Sequence, residues 1–119
     1  MSSEMRWGIF RADLGYGEGS EQAGQRPVLV VSNDSFNQVM PVVTILPLTS
    51  LKKGRRVYPS EVLLRHGDAN LPEDSIVLTH QIRTISKKRL KHPYGYITNP
   101  EMQKTIEDAL RIHLDLDVP

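Results

Sequence analysis

With 119 residues, 39% hydrophobic, 24% charged and a formal net charge of +1, the chain has the balance of an ordinary globular protein and suits one domain, residues 1–119, with a single modest core. No apolar run approaches the roughly 20 residues of a membrane helix, and residues 1–11 lack the continuous apolar stretch of a signal peptide. The sequence contains no cysteine, which removes disulfides, thiolate nucleophiles and cysteine-based zinc sites and fits a reducing, cytoplasmic setting.

Residues 7–14 read as a first strand, with Trp7 and Ile9 apolar, followed by a loop marked by Gly15, Gly17 and Gly19. That glycine cluster matches neither a dinucleotide fingerprint nor a P-loop, because no Gly-Lys-Ser/Thr follows it. Residues 27–32 form a buried strand, and Asn33 or Asp34 caps a short helix through Gln38. Further strands are expected at 42–48, 57–64 and 75–81, with Pro59 marking an edge or bulge in the second of these. Residues 83–85 extend the sheet, 86–90 form one helical turn, and 94–97 make a closing strand. Asn99-Pro100-Glu101 then starts a helix, with cap, first-position proline and an acid at the positive dipole end in order. Met102, Ile106, Ala109, Leu110 and His113 fall on one face of it. Many short strands with no strand–helix–strand rhythm argue for a mainly β fold, a small antiparallel β-barrel with a C-terminal helix.

The net charge hides an asymmetry. Residues 50–92 hold ten Lys or Arg against four Asp or Glu, clustered at Lys52, Lys53, Arg55, Arg56 and again at Arg83, Lys87, Lys88, Arg89, Lys91. Alone this is a solvated surface; beside the motifs below it suits a polyanion.

Three blocks carry the chemistry. Gly24-Gln25-Arg26-Pro27-Val28-Leu29-Val30-Val31 delivers an arginine from a polar loop into an apolar strand, where its fixed fork of donors can be aimed at phosphate. Leu46-Pro47-Leu48-Thr49-Ser50 ends a strand in two hydroxyls, and His80-Gln81-Ile82-Arg83-Thr84 follows. In their order and spacing, from about Trp7 to Leu116, these blocks resemble the MazF/PemK family of toxin endoribonucleases. The resemblance implies an SH3-like barrel shared with CcdB-type toxins, usually a homodimer. It also implies cleavage of single-stranded RNA and inhibition by a small cognate antitoxin. Within it, the arginine and threonine that carry activity correspond to Arg26 and Thr49.

Metal-free RNA cleavage uses the ribose 2′-OH as nucleophile and leaves a 2′,3′-cyclic phosphate and a 5′-OH. The protein must help move two protons and stabilise a charged phosphorane. A guanidinium stays protonated and is a poor base, so Arg26 is assigned to the phosphorane, with Thr49 donating and Ser50 assisting. Glu21 is a candidate base just ahead of Arg26, with simple ion pairing to Arg26 as the competing reading. His80 stands where several relatives have a carboxylate and can act as acid or base, or only as a hydrogen-bonded strand-end residue. Ser20, Gln22, Gln81, Arg83, Lys52 and Lys53 are expected to contact RNA. His66, His80, His92 and His113 show no i, i+4 pairing and there is no HExxH, so neither metal nor cofactor is expected. Two rivals remain: a non-catalytic, gyrase-poisoning toxin of the CcdB kind, and a catalytically silent RNA-binding barrel.

Overall fold

The computed structural model describes residues 4–117, so positions 1–3 and 118–119 of the expected domain lie outside the described residues. In chain order the elements are β1 (Gly8–Asp13), β2 (Gln25–Val30), α1 (Asp34–Val39), β3 (Val42–Ser50), β4 (Glu61–Leu64), β5 (Ser75–Leu78), β6 (Arg83–Ser86), β7 (Leu90–Tyr96) and α2 (Pro100–Leu114). Short 3-10 turns at His66–Asp68, Thr79–Gln81 and Lys87–Arg89 connect the later strands. All strand pairings are antiparallel, along the path β4-β5-β3-β2-β1-β7, with β6 also on β3. The mainly β architecture with a C-terminal helix is therefore present. Its sheet is open, with β4 and β7 at opposite ends of the path.

The long strand β3 organises this sheet. Ile45 pairs with Val30 of β2 and with Arg83 of β6, while residues 48–50 pair with β5. Successive side chains of a strand point to opposite faces, and here both faces are buried. Leu29, Leu46 and Leu48 join Ile9, Val77, Ile97 and Ile106 in one core cluster. Their neighbours Val28, Val30, Val43 and Ile45 join Ala12, Leu14 and Ile85 in a second. Double-sided burial thus explains the unbroken apolar runs in an antiparallel sheet.

The strand expected at 57–64 is shorter, because residues 51–60 turn away and only Glu61–Leu64 pairs with β5. Pro59 precedes that strand. At the other end, β5 stops at Leu78 where Thr79 enters a turn and its hydroxyl donates to the Ser60 carbonyl. Strand β7 begins earlier than expected, at Leu90, and takes Pro93 at the open edge, where a missing N–H is tolerated and the register with β1 shifts on both sides of Phe10. Gly95 lets β7 pass close to the end of the His66–Asp68 turn, since a Cβ there would lie 2.7 Å from the Ala69 carbonyl oxygen.

Both helix caps follow from the sequence. Asn33 accepts from the Phe36 N–H at 2.8 Å, which leaves Asp34 to accept from the Met5 and Arg6 N–H groups at 2.9 and 3.1 Å. Asn99 accepts from the Glu101 N–H at 2.9 Å, with Pro100 in the first turn. The inward face of α2 is Ile106 and Ala109, flanked by Met102 and Leu110. His113, expected on that face, is exposed because the last turn runs past the core. No helix among the described residues is long and apolar enough to cross a membrane.

Ile106 is fully buried. Ile106→Ala is expected to cost about 2–5 kcal/mol through lost transfer energy and a residual cavity, which would be read as a lower urea midpoint at unchanged m-value.

Candidate functional site

Two clefts contain most of the residues singled out above. The smaller, of about 230 Å³, is lined by Arg26 and Thr49 together with Arg11, Ser50, Glu73 and Tyr94, among others. Its geometry follows from strand register. The β2–β3 pairing ends at Val28 and Pro47, and Arg26 and Thr49 lie two residues beyond it on their respective strands, both lining the cleft. On β1, Arg11 is the register partner of Pro27, and both residues line the same cleft. The Arg26 guanidinium donates through Nε to the Ala23 carbonyl at 3.1 Å. That bond anchors one edge of the fork of a side chain that lines the cleft. Ser50 donates its hydroxyl to Glu73 Oε1 at 2.6 Å.

The larger cleft, of about 660 Å³, is lined by Ser20, Glu21, Gln22, His80, Gln81 and Arg83, together with Tyr16 and Ile82. Gln81 spans its base as a clamp: Oε1 accepts from the Gln22 N–H at 2.9 Å and Nε2 donates to the Ser20 carbonyl at 3.0 Å. A single side chain thereby fixes the loop that leads into Arg26. The neck of the same loop is held by Leu14 and Gly24, and by Gly24 and Gly15, whose N–H to carbonyl bonds are 2.9 and 2.8 Å. Gly15 and Gly24 both adopt a φ of +71°, which a side chain would strain. Gln22 Oε1 is buried with no partner among the described residues.

Glu21 does not meet Arg26. Its Oε1 accepts from the Glu18 N–H at 2.7 Å, which makes it part of the loop's own turn. His80 meets a carboxylate of another kind, with Nδ1 3.9 Å from Oε2 of Glu61. The Glu61 side chain is only 3% exposed and is paired with Arg55 at 2.9 Å. Burial pushes the Glu61 carboxyl up, but the Arg55 guanidinium, the Tyr58 N–H and the charges of Arg55 and His80 more than offset this. It is held below the ordinary glutamate range.

Of the basic clusters, Arg55 is thus committed internally and Arg89 donates to the Asp13 carbonyl at 3.1 Å. Lys52 and Lys53 are exposed in the loop that follows Thr49 and Ser50. The structure therefore divides the expected site residues: Arg26, Thr49 and Ser50 in one cleft, Glu21, His80, Ser20, Gln22, Gln81 and Arg83 in the other. Sequence reasoning missed Arg11, Glu73 and Tyr94. A polar residue interrupting a strand between Phe10 and Ala12 was a usable signal for the first; the others arrive only through tertiary contact.

The chain is thus a small mainly β protein, an open antiparallel sheet with a C-terminal helix, that carries an arginine and a threonine at adjacent strand ends lining one cleft. The family model of the PemK-like, MazF-like toxin of type II toxin-antitoxin systems matches residues 5–114, and the chain belongs to that family. It is 35% identical over 111 residues to the endoribonuclease MazF of Staphylococcus saprophyticus, covering 93% of this chain and 91% of that one. Among solved structures, it resembles an endoribonuclease in complex with its cognate antitoxin from a mycobacterial species. The TM-score is 0.78 at 30% identity, with 98% of this chain and 100% of that chain covered. MazF of Deinococcus radiodurans superposes with a TM-score of 0.76 at 26% identity, covering 93% of this chain and 96% of that one.

Replacing the clamp, Gln81→Leu, should release the Gln22 amide to faster hydrogen exchange while amides of β2 and β3 keep their protection, as for a local rather than global opening. Glu61 supplies a pH signature. A carboxyl with a lowered folded pKa stabilises the fold fully above its unfolded value, here the ordinary glutamate value of 4.5, and loses that contribution as pH falls through the folded value. Glu61→Gln should therefore lower Tm at pH 7, and the gap to the parent protein should narrow at pH 3.

Proposed function

We propose that the chain is the endoribonuclease toxin of a toxin–antitoxin pair, a single 1–119 domain that works in the cytoplasm, cuts single-stranded RNA without a metal and is neutralised by a cognate antitoxin. The observation that carries this reading is the convergence of Arg26 and Thr49 on one cleft across the β2–β3 pairing. The reaction is attack of the ribose 2′-oxygen on the adjacent phosphorus with loss of the 5′-oxygen, giving a 2′,3′-cyclic phosphate and a 5′-OH. Negative charge grows on the non-bridging oxygens as the phosphorane forms. Arg26, anchored through Nε, offers its terminal N–H groups there, and Thr49 offers its hydroxyl.

Bases on either side of the scissile bond occupy the larger cleft. Gln22 lines that cleft and orients the scissile nucleotide, Ser20 and Gln81 hold the loop in shape, and Arg83 and His80 line the wall. Glu21 orders the loop by capping its turn. Lys52 and Lys53 add non-specific attraction to the RNA backbone. Two further parts of this reading come from the family: a homodimer, and an SH3-like barrel as the description of the curved sheet. One solved neighbour was captured with its cognate antitoxin, and an antitoxin segment competing for the cationic cleft is the corresponding partner here.

Arg26→Ala and Thr49→Ala should slow single-turnover RNA cleavage in EDTA by about 10²-fold or more, with RNA affinity and circular dichroism little changed. Arg26→Lys should rescue poorly, since a point charge lacks the planar fork. Near-normal cleavage by folded Arg26→Ala protein would remove the assignment. RNA binding without any fragments from the parent protein would instead favour the silent barrel.

A further inference from the structure

The proposed reaction needs a group to take the 2′-OH proton, and neither Glu21 nor His80 lines the cleft that holds Arg26 and Thr49. Glu73 does. It is the only carboxylate among the residues lining that cleft. It lies in the turn before β5, and its backbone is fixed on both sides. Ser75 donates its hydroxyl to the Glu73 carbonyl at 3.1 Å, and the next residue, Asp74, accepts from the Leu51 N–H through its own carbonyl at 3.0 Å.

The adjacent acids have different fates. Asp74 is occupied: its carboxylate accepts from the His66 N–H at 2.9 Å and from Arg65 at 3.1 Å, with His66 Nδ1 3.2 Å away. Glu73 instead faces the cleft, held at a single oxygen by the Ser50 hydroxyl at 2.6 Å. A carboxylate is an acceptor only, so the Ser50 proton is committed to Oε1. Ser50 then cannot donate that proton to a phosphoryl oxygen, contrary to its expected role beside Thr49. Oε2 has no hydrogen-bond partner among the described residues and is open to substrate.

A carboxylate in a cleft that binds a polyanion opposes binding, and Arg11 and Arg26 offset only its charge. Its chemistry supplies a use. Building on the endoribonuclease reading above, we propose that Glu73 is the general base of RNA cleavage and that Ser50 is its positioning residue. Oε2 takes the proton of the 2′-OH as the 2′-oxygen–phosphorus bond forms. The phosphorus–5′-oxygen bond breaks, and the leaving oxygen takes a proton from solvent water. Glu73 then returns its proton to solvent, so the protein ends unchanged. The charged and titratable groups that line the cleft with Glu73 are Arg11 of β1, Arg26 of β2 and Tyr94 of β7.

Glu73→Gln keeps size and shape while removing the base. Its single-turnover rate should fall by about 10²–10⁴-fold, and its residual rate should rise about tenfold per pH unit as hydroxide takes over. Affinity for a 2′-O-methyl RNA, which cannot react, should be unchanged or tighter, because a negative charge has left the cleft. That rise distinguishes loss of a base from loss of structure. Ser50→Ala should cost a smaller factor and keep the parent pH profile, since it loosens the carboxylate without removing it.

A Glu73→Gln rate within threefold of the parent overturns the proposal, as does a rate loss matched by an equal loss of affinity. Arg26→Ala serves as the control. If it is inactive while Glu73→Gln is not, the base assignment fails and the endoribonuclease reading stands. If the parent protein cuts no RNA, the endoribonuclease reading fails first.

Discussion

Strand β3 has to satisfy three neighbours and two cores at once. Its central residue Ile45 is paired on both edges, to Val30 and Arg83, and alternate side chains along it enter different core clusters. A slip of one residue would exchange the two sets and turn Pro47 and Thr49 to the other face. The register is therefore held tightly, and with it the position of Thr49 beside Arg26. Precision at the cleft is a by-product of packing well away from it. Functional groups at strand ends inherit the rigidity of the strands, which limits the reorganisation needed when charge develops on a bound phosphate.

The cationic character of the site depends on which charges are left over. Arg55 is spent on Glu61 deep under the loop that follows β3, Arg65 on Asp74, Arg6 on Glu107 and Arg111 on Asp108. What remains turned to the cleft is Arg11 and Arg26, with Lys52 and Lys53 at its approach. A surplus of basic residues in one stretch of sequence is thus a poor guide to where an anion binds. The fold assigns some of them to internal acids and exposes others, and only the second group can release counterions from RNA.

The two clefts meet the same loop from different sides. Residues 20–22 form part of the larger cleft, Arg26 belongs to the smaller, and the Gln81 amide ties the loop to the turn after β5. That turn also carries His80, whose Nδ1 lies 3.9 Å from Oε2 of the buried Glu61, while Ile82 beside it packs on the core. The Gln81 tie gives the protein a mechanical connection between the two clefts.

Local rules were enough for much of this molecule. Asn33 and Asn99 declared their helices because each side chain must satisfy an orphan N–H. The glycine-bounded loop before Arg26 declared a hairpin, and the order of apolar blocks declared a mainly antiparallel β protein. Arg26 stood out as a guanidinium delivered from a polar loop into an apolar strand, and Thr49 through the resemblance to the toxin family. Strand lengths near Pro59 and Pro93 were not legible, because they depend on which edge a proline faces. Glu73 was invisible as well, being one acid among several in a turn. Its approach to Ser50 exists only because β5 pairs with the end of β3 and carries the preceding turn with it. Residue type and spacing report contacts within a few positions along the chain; long-range pairing decides which of those residues share a cleft.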